Sequence, residues 1–438
     1  MAKPKNQKPP FALRALAAFA VTLAALFVLL LAAYALPGEP VRDHVYDSAV
    51  KIAGEGLYPE YLNFKLFQMD NYTDTIMLTE AASADEAPPL TAMMTNTAYN
   101  VDNFETLADD LQWYIERDWA TGAQPTDAPA LVPFSYARYW HGYLIWLRPL
   151  LLVTDITGVR VVQYLVLAAL FAAVMVLLRR RCGLRAAVWF AVSQLLVTAF
   201  WAPHQVQFFT CFAVAYAGCV WVLAKPRRSD DVCLALLVLG VVTSFCDLLV
   251  TPVLTLGLPL VCWLLEPQQR LRAGTRQCGI VVGGSLTWGV GYLLCWASKW
   301  VLAGLVTGQN VIADALHQVG VRTAADSWHG MELTWSNILH FVYTTLASKH
   351  LFWPLVLAVV LLLALFAASI RDRQQLARAL PLGLCALMTP AWFIVLRTHS
   401  IQHGWFTWRA LGLTVFAGLA FLYYCCDVRQ IAKRLKRT

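Results

Sequence analysis

The chain has 438 residues, of which 59% are apolar and only 14% are charged, with a mean hydropathy of +0.55 and a net charge of +7. A soluble globular chain carries about 25% charged residues, so this composition excludes an ordinary soluble domain. The basic residues form short clusters beside apolar runs, a pattern typical of membrane anchoring. We therefore expect a lipid bilayer as partner and no nucleic acid.

Apolar runs of about 20 residues recur along the chain, which is the length a helix needs to cross a bilayer. The runs are continuous rather than alternating, so helices are favoured over a barrel. We predict an all-α, polytopic transmembrane helix bundle of about ten spans. The first span, 13–36, follows a basic leader at residues 1–12. The others are expected at about 160–178, 186–202, 206–224, 232–248, 250–265, 279–301, 351–370, 379–396 and 410–426.

Lys and Arg residues cluster in every second connection between these spans. The clusters lie at residues 179–185, 225–228, 270–276 and 371–373. Because short basic loops stay on the cytoplasmic side, both termini should be cytoplasmic, including the basic tail at 427–438. The sequence therefore predicts a multi-pass protein of the cell membrane.

The eleven cysteines, from Cys182 to Cys426, all lie in or beside apolar spans. A secreted disulfide framework would place cysteines in the long polar segment near the N-terminus, which has none. We therefore expect these cysteines to act as small buried apolar residues.

The connection after the first span, 37–142, is long and acidic, and 18 of the 27 Asp and Glu residues lie between Glu39 and Asp155. A connection of about 100 residues is uncommon unless it is functional. Apolar and aromatic residues at helical spacing in 44–67 and 101–119 predict short helices at the membrane surface. The remaining bundle, 143–426, contains a second outer loop at 307–348, whose amphipathic segment could fold over the first loop.

Two acids in the first outer loop form a candidate catalytic pair. Asp70 and Asp74 are four residues apart, so on a helix they would share one face. Such a carboxylate pair can act as a general base or bind a cation. Two solvated acids on a helix are the alternative interpretation.

An aromatic and basic segment precedes the second span. It contains Arg138, Tyr139, His141 and Arg148 within a run of aromatic residues. Guanidinium forks suit phosphate, so we predict that these residues bind a sugar phosphate substrate. An aromatic belt with snorkelling arginines is the alternative.

A third polar cluster precedes the last span and contains Arg397, His399, His403 and Arg409. The two histidines would face the same way on a helix, but no glutamate lies between them as in a zinc-protease HExxH motif. We predict phosphate or diphosphate binding here, with a polar helix end as the alternative. Asp247 is a further candidate, because intramembrane acids are often functional, although it could simply cap a helix.

The basic leader, retained first helix, long acidic outer loop and charged outer ends of the spans resemble the GT-C superfamily of polytopic glycosyltransferases. Members of that superfamily use a polyprenyl-phosphate-linked sugar, and an acid of the first outer loop serves as catalytic base or metal-binding acid. Asp70 and Asp74 match that acid most nearly. Outer basic residues contact the lipid phosphate in the superfamily, a role that would suit Arg138, Arg148, Arg397 or Arg409.

The resemblance has one clear departure. The superfamily's acids commonly follow the first span closely, whereas Asp70 lies more than 30 residues beyond Leu36. Asp43 and Asp47 are nearer and remain alternative acids. The chain also resembles bacterial membrane proteins that share the segments 138–143 and 399–409.

The resemblance implies a membrane glycosyltransferase that transfers a sugar from a polyprenyl-phosphate donor to a glycan or protein acceptor on the outer face. Such an enzyme would serve the synthesis of cell-envelope polysaccharide or glycoconjugate. The cofactor stays open, with a divalent cation as one option, because metal dependence varies in the superfamily. A lipid-linked saccharide flippase or other multi-span transporter is the competing class. A structural protein would leave the three polar clusters apart.

Overall fold

The computed structural model of the protein describes residues 9–100, 132–246, 249–270, 274–324, 327–328, 331–348, 350, 352–369 and 373–426. These residues are almost entirely helical, and the strands are confined to two short antiparallel pairs. The predicted all-α polytopic bundle is confirmed.

The helices are numbered in chain order, and those of the first half run from the first apolar segment to the third long span. They are α1 (Phe11–Tyr34), α2 (Glu39–Glu55), α3 (Asn71–Ala82), α4 (Pro89–Thr95), α5 (Leu144–Leu151), α6 (Ile156–Cys182), α7 (Leu184–Leu196) and α8 (Val206–Ala224). Strands β1 (Thr97–Asn100) and β2 (Val132–Ser135) pair in register Thr97 with Ser135.

The helices of the second half continue to the last apolar segment. They are α9 (Ser229–Cys246), α10 (Val253–Leu265), α11 (Pro267–Arg270), α12 (Gly274–Thr307), α13 (Val311–Ala324), α14 (Trp335–Ser348), α15 (Phe352–Ser369), α16 (Arg373–Ala386), α17 (Met388–Val395), α18 (Arg397–Gln402), α19 (Gly404–Thr407) and α20 (Leu411–Cys425). Strands β3 (Ser327–Trp328) and β4 (Met331–Glu332) form the second pair.

Among the described residues, seven helices or runs of consecutive helices are long and apolar enough to cross a membrane. They are Phe11–Tyr34, Ile156–Cys182, Val206–Ala224, Ser229–Cys246, Gly274–Thr307, Gln374–Val395 and Gly404–Cys425. The three other predicted spans correspond to shorter apolar helices, at Leu184–Leu196, Val253–Leu265 and Phe352–Leu361. The chain is therefore a multi-pass membrane protein.

Two large groups of buried apolar side chains hold the described helices together. One joins α6, α7, α8, α10, α16 and α20 around fully buried rings such as Phe190, Trp263 and Phe416. The other joins α1, α9 and α12 to the outer-loop helices α2 to α5, around Trp140. The described helices of the first outer loop therefore share a core with the spans. The predicted helix in 101–119 lies outside the described residues.

Glycines allow α9 and α12 to pack closely. A Cβ atom at Gly240 would lie 2.2 Å from the carbonyl oxygen of Trp288, and one at Gly291 would lie 2.4 Å from that of Leu237. Small residues at such contacts let helix backbones approach in a membrane, where van der Waals packing replaces the hydrophobic effect as driving force. This contact fixes α12 against the rest of the bundle.

Gly291→Ala should destabilise the protein by about 1–3 kcal/mol, because the added methyl group meets backbone that can move only with the whole helix. Gly289→Ala, in the same helix, is the matched control, because nothing lies within 4 Å of its added methyl group. Thermal unfolding in detergent should show a lower melting temperature for Gly291→Ala only. Equal melting temperatures for the two variants would contradict this packing.

Buried cations tie the outer-loop helices to the spans. Arg148 donates to the carbonyl oxygens of Ala81, at 2.6 Å, and Leu36, at 2.9 Å. Lys299 of α12 donates to the carbonyl oxygen of Met93, at 2.7 Å. These bonds satisfy carbonyl groups at the ends of α1, α3 and α4 that have no partner within their own helix.

The bundle has two chemically different ends. Helix α6 begins near Glu55 of the first outer loop, which pairs with Arg160, and ends where Arg181 pairs with Glu266. Its 27 residues correspond to about 40 Å, enough to cross a bilayer. We call the end near Arg181 the basic end, because the Arg-rich connections lie there. The other end, which carries residues 37–100 and 132–143, is the cavity end.

Candidate functional site

A cavity of about 400 Å³ opens at the cavity end of the bundle. Its volume falls within the range of about 300–1,000 Å³ that is usual for ligand pockets. Its walls are aromatic and polar, and come from both outer loops and from the segment before the last span. The lining residues are Tyr58, Asp70, Tyr72, Thr73, Ile76, Glu80, Tyr136, Tyr139, His141, Tyr143, Gln207, Arg322, His399, Gln402, His403, Trp405 and Phe406.

One face of α3 forms a long wall of this cavity. Asp70, Thr73, Ile76 and Glu80 follow each other at spacings of three or four residues, which places them on one side of a helix. With a rise of about 1.5 Å per residue, the Cα atoms of Asp70 and Glu80 are about 15 Å apart. The cavity therefore has two acidic ends.

Asp70 lies at the first of these ends and is 2% exposed. It caps α3, because its Oδ1 accepts from the backbone N–H of Thr73 at 3.1 Å. Its Oδ2 accepts from the Thr73 hydroxyl at 2.7 Å and from the Gln207 side-chain amide at 2.6 Å. Burial raises the pKa of Asp70, although these hydrogen bonds oppose the shift. A raised pKa brings a carboxylate closer to the range in which it can accept a proton at neutral pH.

Asp74 has a different position from the one its spacing suggested. It is fully buried and does not line the cavity. Its Oδ1 accepts from the backbone N–H groups of Val206, at 3.1 Å, and Gln207, at 3.4 Å. Asp74 thus holds the first turn of α8, where a negative charge is favourable. Because α8 supplies Gln207 to Asp70, Asp74 positions the cavity acid indirectly.

Asp74→Asn should change how stability depends on pH. Burial, the largest cause, raises the pKa of Asp74 from 3.8 to about 7, and the favourable charge of Arg160 only partly opposes it. The folded state therefore holds a proton that the unfolded state releases, so wild-type stability falls as pH rises from about 4 to about 7. Compared with Asp74→Asn, the melting temperature of the wild type should fall between about pH 4 and about pH 7 and then stay level. A difference between the two proteins that is independent of pH would contradict this.

Glu80, His141 and Tyr143 form the second acidic end of the cavity. Tyr143 donates its hydroxyl to Glu80 Oε2, and His141 Nδ1 lies 2.7 Å from the same oxygen. The three side chains are at most 3% exposed. An ionised Glu80 can only accept, so His141 then donates to it from Nδ1. The other ring nitrogen, Nε2, has no partner among the described residues.

Local backbone geometry fixes the position of His141. Its φ is +53°, which is uncommon for a residue with a side chain. The next residue, Gly142, donates its N–H to the carbonyl oxygen of Phe245 at 2.8 Å. A Cβ atom at Gly142 would lie 2.6 Å from that oxygen and 2.2 Å from the Phe245 ring, so only glycine fits. The segment Trp-His-Gly-Tyr thus forms a turn that places the side chain of His141 against Glu80.

Two histidines and one arginine form another wall of the cavity. The rings of His399 and His403 are 4.6 Å apart. Nη1 of Arg322 donates to His399 Nδ1 at 3.0 Å, and His399 Nε2 lies 2.9 Å from the carbonyl oxygen of Leu249. His399 is therefore a neutral ring that carries its proton on Nε2. Burial, aided by neighbouring positive charge, lowers the pKa of His399 well below its usual value and that of His403 to about 4. Arg322 thus carries the positive charge on this wall.

The four arginines predicted to bind phosphate do not line the cavity. Arg138 pairs with Asp314 of α13 at 3.2 Å, and Arg148 binds backbone carbonyls inside the fold. Arg397 begins α18 beside the cavity wall. Arg409 is buried against the ring of Phe208 and donates weakly to Leu66 at 3.4 Å. Of the other predicted residues, Tyr139, His141, His399 and His403 line the cavity, whereas Asp247 lies outside the described residues.

Asp43 and Asp47, the alternative acids, are exposed on α2 and do not line the cavity.

The second outer loop does reach the first, as its amphipathic pattern predicts, because α13 brings Arg322 to the cavity and Asp314 to Arg138. Sequence reasoning missed the roles of Glu80 and Gln207. Glu80 could have been found from its spacing to Asp70 on the face of α3.

No group of three or more His, Cys, Asp or Glu side chains is placed to hold a metal ion within the part of the chain that the structure describes. The cavity instead combines hydrogen-bonding carboxylates, neutral imidazoles, a guanidinium group and aromatic rings. Such a lining suits a polar ligand that carries both hydroxyl groups and an anionic group. Comparisons of the chain with protein-family models, with curated proteins and with solved structures found no match, so this chemistry alone guides the interpretation.

Proposed function

We propose that the protein is a membrane glycosyltransferase that transfers a sugar from a polyprenyl-phosphate donor to an acceptor hydroxyl in this cavity. One observation carries the proposal. A buried carboxylate with a raised pKa, Asp70, and a guanidinium, Arg322, line the same aromatic cavity at one end of a membrane-spanning bundle. A proton acceptor and a phosphate-binding cation are the two groups that such a transfer requires.

In the proposed reaction, Asp70 accepts the proton of the acceptor hydroxyl as its oxygen attacks the anomeric carbon. The bond between that carbon and the phosphate oxygen breaks, and the phosphate leaves on its lipid. Arg322 stabilises the negative charge on the departing phosphate, and Asp70 then releases its proton to water. Asp74 takes no part in the chemistry, because both of its oxygens hold the start of α8.

Aromatic rings suit the sugar part of the substrate. Tyr58 and Trp405 meet edge to face with ring centroids 5.8 Å apart, and both line the cavity beside Asp70 and Tyr72. Such rings offer an apolar face and a polar edge, which matches a sugar ring with its hydroxyl groups. The lipid tail of the donor would stay in the bilayer that surrounds the spans.

The basic end of the bundle supports a cytoplasmic assignment for that end, because short Arg-rich connections stay inside. The cavity would then open on the outer face of a cell membrane, and both termini would be cytoplasmic. A glycan or protein acceptor on that face fits the synthesis of cell-envelope polysaccharide or glycoconjugate.

Photoaffinity labelling tests donor binding without requiring turnover. A polyprenyl-phosphate sugar with a photoreactive group on the sugar should label peptides from α3, α13 or α18 in the purified protein in lipid. Excess unlabelled polyprenyl phosphate should prevent the labelling. Labelling spread along the spans and insensitive to competition would contradict a donor site in the cavity.

A carrier for lipid-linked saccharides is the competing function, and transport in sealed vesicles separates the two. The proposed enzyme should move labelled sugar from lipid to an acceptor. A carrier would instead move the intact labelled donor between leaflets and leave the sugar on its lipid.

A further inference from the structure

The cavity end formed by Glu80, His141 and Tyr143 has no part in the transfer proposed above. Pairs of carboxyl groups that act on one glycosidic carbon lie roughly 5–10 Å apart. The Cα atoms of Asp70 and Glu80 are about 15 Å apart along α3, and the hydrogen bonds of Glu80 hold it toward His141 and Tyr143. The side chain of Glu80 is therefore held at its own end of the cavity and is not assigned to the reaction at Asp70.

This end presents two hydrogen-bond acceptors that lack a donor. Glu80 Oε1 and His141 Nε2 are both buried, and neither has a partner among the described residues. When the His141 ring is neutral and donates from Nδ1 to Glu80, its Nε2 carries a lone pair. Buried acceptors are normally satisfied by a protein group, by water or by a ligand. In a cavity, hydroxyl groups of a ligand are suitable donors.

Aromatic rings lie beside these acceptors. Tyr136 packs edge to face against His141, with ring centroids 5.5 Å apart, and Tyr139 contacts the same ring at 6.0 Å. Both tyrosines line the cavity. A wall of aromatic rings beside two acceptors suits a sugar, which has an apolar face and an edge of hydroxyl groups. The wall near Asp70 has the same character.

We infer that the Glu80–His141 end is a second saccharide subsite, which binds hydroxyl groups of a sugar unit beyond the one that reacts at Asp70. The inference rests on the proposed function and narrows its substrate class to compounds that contain an oligosaccharide. Either the acceptor or the donor can supply the additional sugar unit, since the recognised chemistry is the same. Because the Cα atoms of Asp70 and Glu80 are about 15 Å apart along α3, the two ends favour a ligand with more than one sugar unit.

Binding of a length series of saccharides tests the inference without requiring turnover. Purified protein in lipid nanodiscs is exposed to an array of immobilised glycans of one to four sugar units, covering the common hexoses and N-acetylhexosamines. The wild type should bind at least one oligosaccharide about tenfold or more tightly than its component monosaccharides. Binding that does not increase with length, or no binding to any glycan, would overturn the inference.

Two variants remove the acceptors while keeping the fold. Glu80→Gln retains an oxygen that Tyr143 and His141 can donate to. His141→Asn removes Nε2, and asparagine tolerates the positive φ at this position. Each should lower the preference for longer glycans about tenfold, whereas His317→Gln, exposed on α13, should not. Unchanged preference in both variants, with wild-type melting temperatures, would overturn the assignment.

Two further comparisons separate this inference from the proposed function. Asp70→Asn should keep the length preference, because it leaves the Glu80–His141 end intact. Binding that depends on glycan length, without any sugar transfer, would support the subsite but contradict the proposed transferase activity. Competition between a free oligosaccharide and either a lipid-linked monosaccharide or a lipid-linked oligosaccharide shows whether acceptor or donor occupies the subsite.

Discussion

Asp70→Asn is expected to lower the rate of sugar transfer by about 10²–10⁴-fold, the usual contribution of a general base. Asparagine is nearly isosteric and is also a good helix cap, so its oxygen can still accept from Thr73. The variant should therefore fold as the wild type does while lacking a group that accepts a proton. The measurement is the turnover number with a radiolabelled polyprenyl-phosphate sugar, together with the melting temperature in the same lipid.

Asp43→Asn is the matched control, because Asp43 is an exposed acid of the same outer loop that does not line the cavity. It should transfer sugar at the wild-type rate. A normal rate for Asp70→Asn, or a large loss for Asp43→Asn at unchanged stability, would remove Asp70 from the mechanism.

Arg322→Gln should reduce transfer by about 10²–10³-fold, the loss typical when one group that stabilises a developing negative charge is removed. Arg322 is held in place by His399, so its fork is preorganised for an anion. Because the charge on the phosphate grows as its bond breaks, the turnover number should fall more than the apparent donor affinity. Arg322→Lys should recover only part of the rate, since an ammonium group lacks the planar fork.

Arg397→Gln is the comparison for this prediction. Arg397 belongs to the sequence cluster that contains His399, the partner of Arg322, but Arg397 does not line the cavity. Its substitution should change the rate little. A larger effect at Arg397 than at Arg322 would place the phosphate outside the cavity.

The fold was predictable from the sequence because each span carries its own signal. Apolar runs such as Ile156–Cys182 can be recognised as spans from their length and composition alone, without knowledge of what they pack against. The packing of the outer loop was not predictable in the same way. Arg148 was expected to face a substrate, but it binds carbonyls at the ends of α1 and α3, and nothing in its local sequence distinguishes the two roles.

The candidate site was predictable only where chemistry and spacing coincide. The pair His399 and His403 lies on one side of a helical segment, and both histidines do line the cavity. The sequence does not distinguish Asp70 from Asp74, and only the position of α8 shows that Asp74 binds the start of that helix whereas Asp70 lines the cavity. Arg322 is more than 200 residues from Asp70 in the sequence, so only the tertiary fold brings both residues to the cavity.

The most direct test of the account is transfer of radiolabelled sugar from polyprenyl-phosphate donors by the purified wild-type protein in lipid, with a mixture of glycan and protein acceptors. Label should leave the lipid and appear on an acceptor, on the side of the bilayer where the cavity opens. Label that stays on the lipid with every donor, while the donor itself crosses the bilayer, would contradict the account and identify a carrier.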